Sequence, residues 1–324
     1  MNSNFSTLNM RRDVFEEALL KNLTVVLFGL IINYINGTLL YTFFTNVNFQ
    51  SDSRYILYMQ LIINDNVMVS MMVNLHVLSY VCPNLNVSLC IVLLLICENT
   101  HKNTPLNLAA MSIERFIAIC HPLQHPLICT VSWTYMLIAC IWVVGAIPGF
   151  IKVIITFVFK PLSFFSSGRM CYPINIFQSV YNYNTYYATN ILYLCFVWIT
   201  LIYTYFRVVF SAKAATSDPV SSRKAQMTIR LHVVQLLLSM LSYIAPVLDT
   251  ALTVLFPDFR SAVMFCNNII TNILPRLLSP LIYGLRDQKF KKHMKRSLLC
   301  RKTVMNVKSE TKTTLGLIQR DKTS

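Results

Sequence analysis

Seven long apolar windows constrain this chain more than any other feature of its sequence. A helix needs about 20 mostly apolar residues to cross the hydrocarbon core of a bilayer. Only 13% of the 324 residues are charged, so such windows leave little charged surface for a soluble fold. We therefore predict an all-α membrane protein built as a seven-transmembrane helix bundle. The windows, numbered spans one to seven, cover approximately 23–44, 55–80, 88–120, 133–156, 187–211, 226–256 and 261–284.

Basic residues near the span ends predict the orientation of the chain. Lys and Arg are concentrated between spans five and six and again just after span seven. Such segments stay in the cytoplasm, and an odd number of spans then places the N-terminus outside. Lys21 and Lys152 would fall on the extracellular side, which weakens the rule without reversing it.

This orientation divides the chain into three parts. Residues 1–22 form an extracellular segment, 23–284 the seven-helix transmembrane domain, and 285–324 a cytoplasmic tail. Asn4 begins an Asn-Phe-Ser sequon on the extracellular side and is a candidate glycosylation site.

The formal charge of +15 comes largely from the tail, where twelve Lys or Arg from Arg286 onward face three acidic residues. A basic flank beside anionic lipid explains this better than nucleic acid does, although the last twenty residues could simply be solvated. Residues 287–300 alternate basic and apolar side chains, which predicts a short amphipathic eighth helix on the inner leaflet. Cys300 is a candidate for palmitoylation, with a free thiol as the alternative.

Polar residues inside the spans need an explanation, because a charge at mid-bilayer costs about 2.5–3.5 kcal/mol on insertion scales. Asp65 lies well inside span two. Either it is held by helix–helix hydrogen bonds, or it is a buried hub that exchanges partners when helices move.

Span three carries Glu98, His101 and Lys102 near the middle of the membrane. Spacings of three and four place them on one flank of the helix. They form either a Glu98–Lys102 pair that neutralises itself or part of a cavity that binds a polar or charged ligand. Tyr243 in span six is a further candidate for ligand binding.

Two cysteines lie at the outer side of the bundle in this orientation, where disulfides persist. Cys90 begins span three and Cys171 lies in the long loop before span five. A bridge between them would hold that loop over span three, with Cys82 as a rival partner.

Six motifs follow one another over residues 20–300. They are Asn36-Gly37-Thr38, Tyr55 with Asn64-Asp65, Asn103-Thr104-Pro105-Leu106-Asn107, Met111 through His125, Lys224-Ala225 with Leu231-His232, and Pro280-Leu281-Ile282-Tyr283 through Asp287. In this order they resemble the rhodopsin-like G protein-coupled receptors, and specifically the odorant receptors of teleost fish.

The resemblance implies a role for the Glu-Arg pair that ends span three. In the family, the residue matching Arg115 is held by the adjacent acid, here Glu114, and is freed toward the G protein on activation. Tyr205 and Tyr283 match tyrosines that meet this arginine in the active arrangement, and Asp65 matches the acid of the switch in span two.

Two positions depart from the family pattern. Ser279 stands where the family has asparagine before the proline of span seven, which argues against a full sodium site around Asp65. Phe116 replaces the tyrosine after the arginine, which removes one hydroxyl from the switch.

Together these features predict a plasma-membrane odorant receptor. It binds a small water-borne chemical in the outer half of the bundle and activates a heterotrimeric G protein, with no cofactor, metal or nucleic acid. We find no nucleophile–base pair, phosphate loop or HExxH motif in the sequence, so we do not expect an enzyme. A receptor of the same fold for an internal ligand is one alternative, and a seven-helix channel or transporter is another.

Overall fold

The computed structural model of the protein describes residues 15–215 and 251–286, with scattered helical residues between 234 and 249. Spans one to five are long helices, and the described residues of span six are helical up to Leu255. Each of the five helices covers its predicted window and extends beyond it at one end or both. Their bounds are Phe15–Phe44, Ser53–Val81, Val87–Cys120, Val131–Phe159 and Val180–Ala215.

Span seven is made of several helical segments in succession. A 3-10 turn, Pro257–Phe259, leads into the helix Arg260–Asn268, which continues through a π-helical turn, Ile269–Ile273, into the helix Leu274–Arg286. The wider π turn changes the register of the helix, so the side chains that follow it face other directions than in an uninterrupted α-helix.

Three of the long helices begin at a capping residue that the sequence supplies. The Asp52 side chain accepts a hydrogen bond from the backbone N–H of Arg54 at 3.0 Å, and the Asn86 side chain accepts one from Ser88 at 2.9 Å. Thr130 caps span four in the same way. Such caps satisfy backbone donors that the first helical turn leaves open and fix where each helix starts.

Short elements connect the helices. The prediction of an all-α chain did not include a small β-sheet. Two strands of two residues each pair antiparallel, with Leu85 opposite Arg169. They join the outer end of span three to the loop before span five. The short helices are Val47–Gln50, His125–Ile128, Leu162–Ser166 and Pro173–Ile176, and the strands are Leu85–Asn86 and Gly168–Arg169.

Span three is the central helix of the described bundle, since it packs against spans two, four and five. Buried apolar side chains such as Leu61, Leu108 and Ile141 form the core between them. Gly145 in span four faces Asn99 and Asn103 of span three, and a Cβ at this position would lie 2.7 Å from the Asn99 Oδ1 atom. Any larger residue at this position would force the side chains of Asn99 and Asn103 to move, so glycine suits the close approach of the two helices.

The outward faces of the helices are apolar. Leu30, Ile154 and Ile199 are each more than 60% exposed, although a soluble protein would bury most such side chains. In the described part of the chain, spans one, two, four and five are long and apolar enough to cross a bilayer. Span three is not one of these four. It is long enough, with 34 residues, but its buried polar groups lower its hydropathy.

Candidate functional site

A group of polar side chains lies between spans three, four and five, at the predicted ligand region. We call it the outer cluster. Its members are Glu98 and Lys102 from span three, Lys152 from span four, and Tyr186, Asn190 and Tyr193 from span five.

Lys102 points from span three toward span five and is only 1% exposed. Its ammonium group donates a hydrogen bond to the side-chain oxygen of Asn190. The same nitrogen lies 5.3 Å from the ring centroid of Tyr193 and 5.8 Å from that of Tyr186. A cation near aromatic rings at such distances is stabilised by their electron-rich faces. These contacts cross between helices and hold the lysine in the bundle interior.

Glu98 forms an ion pair that the sequence interpretation did not include. Its Oε1 atom accepts a hydrogen bond from the Lys152 ammonium at 2.6 Å, across the interface between spans three and four. Lys152 lies within the span-four helix and is buried, so it belongs to the bundle interior rather than to a loop. Its ammonium also lies 4.7 Å from the centroid of the Tyr186 ring, which thus neighbours both lysines.

A glycine in span four makes room for this pair. A Cβ on Gly149 would lie 2.8 Å from Leu95 Cδ2 and 3.9 Å from Glu98 Oε2. Lys152 follows Gly149 by three residues, on the same face of the helix. The small residue therefore lets the face that carries Lys152 approach span three closely enough for the ion pair.

A second buried group surrounds Asp65 at the centre of the bundle. The Thr104 hydroxyl donates to the Asp65 carboxylate at 3.3 Å, while Asn64 donates to the Thr104 hydroxyl at 3.0 Å. Arg276 of span seven is 4% exposed and interacts electrostatically with Asp65. Its guanidinium donates to the backbone oxygen of Asn272 and lies 2.8 Å from the sulfur of Met68, one helical turn from Asp65. The arginine side chain thus reaches from span seven to span two.

His101 lies between these two groups along span three. It is half-buried and within electrostatic range of both Lys102 and Arg276. Within the predicted trio, Glu98 therefore contacts span four and Lys102 contacts span five, although both lie on one helix.

The predicted switch pair lies at the inner end of span three. The Arg115 Nε atom is 3.5 Å from a carboxylate oxygen of Glu114. The other oxygen of Glu114 is 3.0 Å from the Nε2 atom of His125, which belongs to the short helix after span three. Glu114 thus contacts both the adjacent arginine and the following short helix. The sequence alone did not identify this role of His125, although His125 is the last residue of the motif that begins at Met111.

Aromatic residues of span five lie near this inner end. The ring of Phe116 packs 6.0 Å from the ring of Tyr203, whereas Tyr205 packs on Phe206 and is 39% exposed. The contact between Tyr205 and Arg115 was predicted for the active arrangement, and it stays a prediction.

The predicted disulfide is present. Cys90 and Cys171 are bonded with their Cα atoms 5.5 Å apart, and the rival Cys82 is an exposed free cysteine. Beside the bridge, Ser88 of span three donates to the backbone oxygen of Phe165. The loop before span five is therefore attached to the outer end of span three at several points.

Several predicted positions lie outside the described residues. They are Asn4, Tyr243 and the amphipathic segment 287–300 with Cys300. Tyr283 lies in a described helix, but its side chain is not among those described.

Lipid-facing apolar helices around buried charged groups define a multi-pass membrane protein. The profile of the 7 transmembrane receptor (rhodopsin family) domain matches residues 35–283. The chain belongs to the rhodopsin family of seven-transmembrane receptors. Members of this family are multi-pass receptors of the plasma membrane and not enzymes, so the predictions of family, class and location are confirmed.

The relatives of the chain are chemosensory receptors by name. It is 30% identical to Odorant receptor 131-2 of Danio rerio over 282 residues, which are 86% of each protein. It is 26% identical to Olfactory receptor 2T34 of Homo sapiens over 189 residues, or 56% of this chain and 57% of the relative. Olfactory receptor 14L1 of Homo sapiens is 28% identical over 206 residues, 58% of each protein.

Proposed function

We propose that the protein is an odorant receptor that binds a small water-borne chemical and activates a heterotrimeric G protein. The observation that carries this proposal is the match to an odorant receptor of Danio rerio along 86% of the chain. The buried polar groups between spans three, four and five support it, because a helical receptor of this kind needs an internal site whose occupancy can change helix packing.

The ligand site of this proposal lies in the outer half of the bundle. Glu98, His101, Lys102 and Tyr243 contribute to it, as expected from the sequence. The contacts of Glu98 with span four and of the buried Lys102 with span five support their part in it. Lys152 and Asn190 join the site because they hold these two side chains.

The signalling part of the proposal lies at the inner end of span three. Glu114 holds Arg115 in the resting arrangement, and ligand binding releases the arginine toward the G protein, where Tyr205 and Tyr283 receive it. The observed Glu114–Arg115 contact of 3.5 Å supports this, because a contact of this length between adjacent residues can be exchanged for another partner. Asp65 would link the two parts, since it lies between them.

The topology that accompanies this function has seven helices, an extracellular N-terminus and an amphipathic eighth helix on the inner leaflet. Residues 1–22, 23–284 and 285–324 form its extracellular, membrane and cytoplasmic parts. Asn4 would be glycosylated outside the cell. The disulfide from Cys90 supports an extracellular position for the outer end of span three.

The test is a screen of odorants in transfected cells with cyclic AMP as the readout. The receptor is expressed with and without a matching G protein, and its delivery to the surface is measured by antibody. A response that requires the G protein supports the proposal. An ion current or solute flux that persists without any G protein would contradict it and favour a channel or transporter.

A further inference from the structure

We infer that the side chain of Arg276 serves as the fixed cation of Asp65, so that the centre of the bundle does not take up a free sodium ion. The family pattern suggests a sodium site around Asp65, and Ser279 already argues against its full form. The contacts of Arg276 give a separate reason, which does not depend on the ligand or on the proposed signalling role.

The backbone of span seven directs Arg276 toward span two. The π-helical turn Ile269–Ile273 lies just before the arginine and changes which side chains face the bundle interior. The guanidinium donates to the backbone oxygen of Asn272, and its Nη2 atom lies 2.8 Å from the Met68 Sδ atom. Only 4% of the arginine is exposed. The side chain is therefore held inside the bundle at a defined position.

This position brings the positive charge close to Asp65. Met68 follows Asp65 by three residues, which places the two side chains on the same face of span two. A guanidinium against the Met68 sulfur therefore lies about one helical turn from the carboxylate. Of the charged groups that the structure describes, Arg276 has the largest electrostatic effect on Asp65. Asp65 is 3% exposed, so little water screens this attraction.

The hydrogen bonds around Asp65 also fit a site without a free cation. A cation binds through oxygen lone pairs, and the Thr104 oxygen already accepts from Asn64 at 3.0 Å while it donates to Asp65 at 3.3 Å. The side-chain oxygen of Asn64 is buried without a partner among the described residues. This oxygen is neutral, so a water molecule is enough to satisfy it.

Charge balance gives the physical reason why the arginine excludes sodium. Asp65 carries one negative charge and Arg276 one positive charge, so the pair is neutral as a whole. A sodium ion would leave the buried centre with a net charge of about +1, which is strongly unfavourable in a medium of low dielectric constant. The guanidinium stays protonated in proteins, and it cannot dissociate as an ion can. Asp65 therefore keeps its cation at every salt concentration.

The experiment measures the melting temperature of the purified full-length receptor, without ligand, in sodium chloride and in choline chloride at the same ionic strength. The wild type should melt within about 1 °C in the two salts, because no sodium-specific site adds stability. In Arg276→Met the carboxylate has lost its cation, so sodium should raise the melting temperature by about 2–4 °C relative to choline. The double variant Asp65→Asn with Arg276→Met should show no such difference.

Two variants serve as controls. Arg276→Lys keeps a positive charge at the same position of span seven. Arg260→Met removes an arginine from the beginning of the helix Arg260–Asn268, at the outer end of the same span. Each control should melt at the same temperature in the two salts, since in both of them Asp65 keeps a cation supplied by the protein.

Three results would decide against the inference. Sodium-specific stabilisation of the wild type that is lost in Asp65→Asn would overturn it. Identical melting of Arg276→Met in the two salts would also overturn it, because something other than the arginine would then exclude sodium. If Arg276→Met is not recovered as folded protein, recovery of the double variant with Asp65→Asn would support the pairing, and loss of both variants would overturn it.

Discussion

The outer cluster and the inner end of span three use charged side chains in opposite ways. In the outer cluster, Glu98 pairs with a lysine that lies 54 positions further along the chain, and both groups are largely buried. At the inner end, Glu114 contacts the adjacent Arg115 and the nearby His125. The first arrangement joins separate helices, and the second stays within one short stretch of sequence.

This difference indicates which region can move at low cost. A buried pair between helices is difficult to separate, because each charge would be left in a medium of low dielectric constant. The Glu114–Arg115 pair is about as shielded, but it joins adjacent residues at the longer distance of 3.5 Å, so it can exchange partners without separating two helices. This contrast agrees with the roles that we propose, in which the outer cluster binds the ligand and the inner pair takes part in signalling.

The largest effect should come from the inner region. Arg115→Ala removes the side chain that we expect to reach the G protein, so cyclic AMP production evoked by an agonist should fall to background. Surface delivery and ligand binding should persist, because the arginine lies outside the buried core. Arg54→Ala is a suitable control, since Arg54 pairs with Asp52 at the start of span two. Normal signalling by Arg115→Ala would contradict the proposed role of the inner end of span three in signalling.

A third charged group, Asp65 with Arg276 at the centre of the bundle, allows a test of whether charged side chains from separate helices depend on each other. Arg276→Met should leave the buried Asp65 without its nearby cation and lower the melting temperature of the receptor. The double variant Asp65→Asn with Arg276→Met should recover much of this loss. Melting temperatures of the purified receptor and both variants would measure the coupling. Additive effects in this double-mutant cycle would show that the two side chains act independently.

The disulfide tests how far the outer region depends on its covalent attachment. Cys90→Ser and Cys171→Ser should each lose about 2–5 kcal/mol of stability and be retained inside the cell. Cys82→Ser should reach the surface normally, because Cys82 is an exposed free cysteine. Antibody labelling of intact cells measures the delivered fraction. Retention of Cys82→Ser to the same extent would indicate a general sensitivity to cysteine replacement.

The sequence predicted the features that depend on neighbouring residues. Long apolar windows located the described helices, and the adjacent Glu114 and Arg115 were predicted as a pair because no packing is needed to bring them together. The bridge from Cys90 to Cys171 was also predicted, because both cysteines lie at the outer side, and the structure excludes the rival Cys82.

Contacts between helices were harder to predict. Spacing along span three identified Glu98 and Lys102 as neighbours, but it could not determine how span four is rotated or how closely it approaches. Lys152 was therefore missed as the partner of Glu98. Arg276 was missed for a similar reason, since its direction depends on the π-helical turn just before it in span seven.

The smallest effect should come from removing the Glu98–Lys152 pair as a whole. Glu98→Met with Lys152→Met replaces both charges by apolar side chains of similar length, and such replacements of buried pairs are often neutral or stabilising. Lys152→Met alone should be worse, because Glu98 would remain charged and buried at an interface built to hold its partner. Surface delivery and melting temperature of the two variants give the comparison. If the double variant loses as much as the single one, the pair contributes more than charge neutralisation. Its hydrogen bond and the packing of Lys152 on Tyr186 would then be required to hold spans three, four and five together.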